Sequence, residues 1–265
     1  MPDPGILSRA RKPGGIALGV CIGILFAAGW GRVGAAPPGV EAGDIARFTT
    51  HIQDLETSVK VTECDPSALE KIGPDFQQTY AIRNLTFLYK NPDKIRIEGH
   101  SPTLGTALMI LNGPTRYYSV PRLRMKKTED LQSTPSRRQS LLEYGGLLSA
   151  DTLRFMKGRY VGQETLDGSP ADVFDLTYQG LASSSHYRLW IDPKTDVTLK
   201  RAWYDLHNTL KATFYYQESR EICAHVWLPS RIEVKNADGA TAAVTTLSDV
   251  KVNQGLPDSL FSISR

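Results

Sequence analysis

At 265 residues the chain is long enough to bury a sizeable core, and a 41% hydrophobic content suits a folded domain. The formal charge of +3 comes entirely from the first 35 residues, where Arg9, Arg11, Lys12 and Arg32 stand against Asp3. The rest is neutral, so the basic balance gives no ground for a nucleic-acid partner.

Residues 1–35 read as an export signal. Arg9, Arg11 and Lys12 form a basic start, residues 16–30 an apolar run, and Val33-Gly34-Ala35 a cleavage site before Ala36. The alternative is an uncleaved inner-membrane anchor facing the periplasm. For that role the run is barely long enough and carries five glycines from Gly14 to Gly29. Leu18-Gly19-Val20-Cys21 departs from a lipobox at Val20, so lipidation is not expected. Export leaves Cys64 and Cys223 in an oxidising compartment. Both a disulfide closing a long loop and two buried thiols are open readings.

Residues 36–265 are expected to form one domain. Over residues 40–60, Ile45, Phe48, Ile52, Leu55 and Val59 recur at helical spacings of three and four, although the first strand can begin by Val59. Asp65-Pro66 and Gly73-Pro74 punctuate the next stretch, and residues 77–90 read as an extended strand. Asn91-Pro92-Asp93 turns the chain into Lys94, Ile95, Arg96, Ile97 and Glu98, whose alternation of charged and β-branched residues marks a strand with two different faces. Residues 106–112 form an apolar strand that turns at Asn112-Gly113-Pro114 into a return strand over 116–121.

Residues 122–138 break the pattern. Arg122, Arg124, Lys126, Lys127, Arg137 and Arg138 face only Glu129 and Asp130, which predicts a mobile basic surface loop meeting an anionic partner, either phospholipid headgroups or an acidic membrane component. Leu141, Leu142, Tyr144, Leu147 and Leu148 suggest a short lid helix. From Leu153 onward, strands separated by short turns such as Asp167-Gly168 run to the C-terminus. The fold class expected is mainly β: one strongly curved antiparallel sheet, an unclosed barrel, with an N-terminal helix and a lid helix over its concave face.

No nucleophile elbow, HExxH, Walker loop or GxGxxG occurs, and His51, His100, His186, His207 and His225 fall at no ligand spacing. Asp172 and Asp175 lie three apart, on opposite faces of a strand, and cannot act as paired acids. The residues point to no catalytic site, metal or cofactor. A hydrolase whose site assembles only in space stays as one alternative. The strand aromatics fit a packed core or a lipid cavity equally well.

Three segments carry a resemblance. Lys90-Asn91-Pro92-Asp93-Lys94-Ile95-Arg96-Ile97-Glu98 resembles the K-x-P-x-x-[IF]-R-[IW]-E hairpin of the LolA-like family of periplasmic lipoprotein carriers of Gram-negative bacteria. Tyr187-Arg188-Leu189-Trp190-Ile191-Asp192 resembles that family's [YF]-x-[LV]-W-[IV]-D strand, and Val252-Asn253-Gln254-Gly255-Leu256 through Phe261 its closing segment. The resemblance implies an unclosed barrel that holds acyl chains between sheet and helices, and a non-enzymatic monomer sorting lipoproteins or lipids toward the outer membrane with membrane transport components. An RseB-like sensor of the same fold is the alternative. Phe87, Tyr118, Tyr187, Leu189 and Phe214 are the lining candidates. The resemblance casts Arg96 as an interior residue bonded to the lid, whereas the residues alone allow a surface arginine paired across strands. Ile97, where the carriers often have an aromatic residue, and the long middle region leave the cargo open.

Overall fold

A computed structural model describes residue 45 and residues 52–102, 105–133, 145–149, 153–179 and 185–263. The expected signal segment lies outside them. Alternation along the chain produces strands β1 (Asp54–Cys64), β2 (Asn84–Lys90), β3 (Lys94–Ser101), β4 (Gly105–Asn112), β5 (Thr115–Val120) and β6 (Met125–Asp130). After the middle region come β7 (Met156–Leu166), β8 (Ser169–Tyr178), β9 (His186–Ile191), β10 (Thr198–Tyr204) and β11 (Leu210–Gln217). The last four are β12 (Arg220–Cys223), β13 (Val226–Leu228), β14 (Arg231–Asn236) and β15 (Thr241–Val252). Thirteen of these form one antiparallel sheet in the order β6-β5-β4-β3-β2-β1-β15-β14-β11-β10-β9-β8-β7, while β12 and β13 make a separate ribbon. Because β6 and β7 end the sheet without pairing to each other, the barrel is unclosed.

Several boundaries differ from the sequence reading. Of the helix expected over 40–60, residues 40–44 and 46–51 lie outside the described ones, and from Asp54 onward the chain is β1. Leu55, Thr57, Val59 and Val61 alternate at period two, and pairing on both sides with β2 and β15 outweighs a coincidental helical spacing. The prolines of the next stretch open helices rather than loops. Pro66 starts α1 (Pro66–Ile72), capped by Asp65, whose carboxylate accepts from Ser67 N at 2.9 Å and Ala68 N at 3.2 Å. Pro74 starts α2 (Pro74–Tyr80), so the strand expected from residue 77 begins only at Asn84.

The basic stretch is corrected too. Residues 125–130 are strand β6, paired along β5. Exposed lysines such as Lys126 and Lys127 are a common device for an edge strand, which must stay soluble while presenting unpaired backbone. Residues 134–138 lie outside the described ones.

A clasp joins β1 to the C-terminal segment. The Asp54 carboxylate, almost fully buried, accepts from the backbone N–H groups of Gln254 (2.8 Å), Gly255 (2.8 Å) and Leu256 (3.3 Å). Asn253 Oδ1 in turn accepts from Gln53 N at 2.7 Å. Asp54→Ala leaves those donors unpaired and is expected to cost about 1–3 kcal/mol, read from the urea midpoint.

Candidate functional site

The register aligns one apolar face across the whole sheet. On β2 to β5, Phe87, Tyr89, Ile95, Ile97, Met109, Leu111 and Tyr118 are buried together. Across β8 to β14, Phe174, Leu176, Tyr187, Leu189, Trp203, Phe214, Tyr216 and Val234 form a second cluster on the same side. The lining candidates Phe87, Tyr118, Tyr187, Leu189 and Phe214 therefore all lie on this inner face. Leu210, which alternation alone would add to Phe214, is turned to the outer side by a bulge opposite Trp203 and Tyr204.

The cover over this face is short and discontinuous. Ala68, Leu69 and Ile72 of α1, Phe76 of α2, and Leu148 and Leu153 lie over one cluster, with Phe76 stacked 5.7 Å from Trp203. Leu131, Leu147 and the β12–β13 ribbon, through Val226 and Leu228, cover the other. Of the expected lid helix, residues 141–144 lie outside the described ones, while Gly145 to Ser149 run over the sheet. Gly146 has φ +79° and touches the ring of Tyr216, so closely that a Cβ there would come within 2.9 Å of it. Between cover and sheet lies a cavity of about 20 Å³, lined by Gly146, Leu148, Met156, Leu176, Tyr187, Leu189, Thr198 and Arg201. That is room for about one water molecule. As it stands the cavity is too small for an acyl chain.

Two arginines on the inner face were missed. Arg201 is 4% exposed, its guanidinium carbon 4.1 Å from the centre of the Tyr187 ring and 5.6 Å from that of Phe214. Arg116, also buried, donates to Glu129 Oε2 from both Nε (3.0 Å) and Nη2 (2.6 Å), and its guanidinium carbon is 5.0 Å from the Tyr118 ring centre. Period two held the signal, since Arg116 stands two residues before Tyr118 and Arg201 two before Trp203.

Arg96 does not enter the interior. Ile95 and Ile97 take the inner positions of β3, which turns Arg96 outward, against Glu98 and the Leu260 carbonyl (3.2 Å). Its neighbours complete a clamp. Lys90 and Lys94 bind Asp258 at 2.6 and 2.9 Å, Lys90 Nζ donates to the Leu256 carbonyl (2.7 Å), and Asn112 to that of Phe261 (3.3 Å). Leu88, Leu256 and Phe261 pack beneath. The hairpin motif thus holds the closing motif on the outer face, and the two sequence signatures are halves of one structural contact.

The disulfide is not formed. Cys64 packs beside the β8–β14 cluster, whereas Cys223 is exposed on the β12–β13 ribbon, whose apolar residues belong to the other cluster. Among the described residues no three His, Cys, Asp or Glu side chains gather as a metal site.

Residues 121–265 match a family model described as "Uncharacterized protein". No curated protein matches the chain. Among solved structures, a LolA superfamily protein from Nitrosomonas europaea is 18% identical with a TM-score of 0.59, over 84% of this chain and 98% of that one. A DUF1329 family protein from Desulfovibrio piger is 14% identical with a TM-score of 0.58, over 83% and 94%. An outer membrane lipoprotein-sorting protein domain from Vibrio parahaemolyticus is 12% identical with a TM-score of 0.52, also over 83% and 94%. These likenesses establish the fold.

Proposed function

Since the chain belongs to the uncharacterized family whose model spans residues 121–265 and has the LolA-like fold, we propose that it is a periplasmic, non-enzymatic carrier. In this reading it shields the acyl chains of lipoproteins or phospholipids and is exported by its N-terminal segment. The supporting observation is the apolar inner face of a thirteen-stranded sheet, roofed by short helices, a two-stranded ribbon and single-chain segments. Each methylene withdrawn from water contributes roughly 0.8 kcal/mol, so an acyl chain that displaces such a roof offsets the burial the roof gives up. Tyr187, Leu189 and Phe214 line one half of the site, Phe87 and Tyr118 the other.

Native mass spectrometry of the protein purified from its host's envelope tests the reading. Bound phospholipid or a lipidated polypeptide supports a carrier and distinguishes the two cargoes. A stable protein partner without lipid points instead to a sensor.

Gly146 tests the roof. Alanine at φ +79° is strained, and its Cβ meets the buried Tyr216 ring. Gly146→Ala is expected to cost about 1–3 kcal/mol by lifting the strip. It should also raise uptake of an apolar fluorescent probe several-fold in direct titration. Destabilisation with unchanged uptake would show that the strip does not gate the face.

A further inference from the structure

At one corner of the sheet the chain leaves β5 through a 3-10 turn, Pro121–Leu123, and reverses at Arg124, whose φ of 51° is left-handed. The turn presents Leu123 to solvent at 38% exposure, one of three large hydrophobic residues exposed among those described. Arg122, Arg124, Lys126 and Lys127 surround it in sequence, all exposed, and no acid occurs from Pro121 to Thr128. Two of the four cations are engaged, Arg122 with the Pro102 carbonyl (2.7 Å) and Lys127 with Glu129 (2.6 Å). Lys126 extends from the outer side of β6, 5.8 Å from the Tyr117 ring centre.

We propose that this corner docks on an anionic lipid surface, Leu123 entering the headgroup layer while Arg124 and Lys126 meet phosphates. An exposed apolar tip flanked by cations matches a bilayer, which has a charged boundary above an apolar interior. An acidic protein face would satisfy the cations but offer nothing to Leu123. The proposal is independent of what the inner face holds.

Hydrogen–deuterium exchange of the full chain with vesicles tests it by location, so any insertion of the N-terminal segment does not confound the result. Vesicles containing phosphatidylglycerol should slow exchange from Arg122 to Thr128. Phosphatidylcholine vesicles should not, and high salt should remove the effect because charge attraction is screened. Each cation near such a surface is worth about fivefold in affinity, so Arg124→Gln with Lys126→Gln should weaken binding roughly 25-fold. Leu123→Asp should abolish the local protection while leaving the fold intact, since the side chain is exposed. Equal protection by both vesicle types, no protection of this segment, or protection by polyglutamate but not by vesicles would overturn the proposal.

Discussion

Replacing Phe214 with alanine is expected to destabilise the protein by about 3–5 kcal/mol. The ring is 1% exposed, faces Arg201 across β10 and Val234 across β14, and sits among paired strands that cannot collapse into the space it leaves. Loss of the ring also removes one of the two aromatic surfaces beside the buried Arg201 guanidinium. Urea unfolding should show a lower midpoint at an unchanged slope. A loss below about 1 kcal/mol is what a site already open to water gives, and would contradict the packed inner face.

Arg116→Met should cost about 1.5–3 kcal/mol, because it removes the two hydrogen bonds the guanidinium gives a nearly buried Glu129 carboxylate, while Lys127 stays bound to that carboxylate. Burial alone pushes the Glu129 carboxyl up. Hydrogen bonds from Lys127 and Arg116, with their charges, overcome this and hold it down at about 2. The unfolded value is near 4.5, so the unfolded chain takes up the proton first as pH falls. Glu129 therefore contributes its full stabilisation above pH 4.5 and loses it as pH drops to and through about 2. By linkage that contribution is at most about 3 kcal/mol, since solvent at the Lys127 side screens part of it. Glu129→Gln should flatten this acid limb while leaving the limb above about pH 5 with its original slope. An unchanged acid limb in that variant would place the titrating group elsewhere.

The curved sheet was legible because its turns are chemically explicit. Asp167-Gly168, Asn112-Gly113-Pro114 and Asn91-Pro92-Asp93 each fixed where a strand had to end, and the alternation between them fixed which residues shared a face. That parity put Tyr187 with Leu189 on one face of β9 and Phe214 with Tyr216 on one face of β11. It did not say which of the two faces was roofed, which left Arg96 open between a surface position, the one it takes, and the interior position the resemblance implied. The same ambiguity hid Arg116 and Arg201, since an arginine in a strand reads as surface until its face is known to be covered. Around residues 54–80 the errors had another cause. Leu55 and Val59 of β1 lie four apart, a spacing that fits a helix and a strand alike. Seven-residue helices carry too few periods to be recognised, and Pro66 and Pro74 act as helix starters and as turn residues with equal ease.

The closing segment gives a complementary lesson. Its resemblance to a family motif suggested function, yet its residues are consumed in structure. Asp258 is held well below the usual carboxylate range, at about 2, by hydrogen bonds from Lys90 and Lys94. Arg96 and Asn112 hold the Leu260 and Phe261 carbonyls just beyond it. These residues fasten the C-terminal 3-10 turn to the outer face, away from the roofed side.

The carrier reading stands or falls on whether acyl chains reach the inner face. Photocrosslinking with a diazirine-bearing fatty acyl phospholipid, with peptide mapping of the full-length protein, reads this directly. Adducts are expected on the inner positions of β8, β9 and β11, around Phe174, Leu189 and Phe214, and on the roof near Leu148, with labelling increased in Gly146→Ala. Adducts confined to the outer face, or none at probe concentrations that label a known lipid carrier, would contradict it.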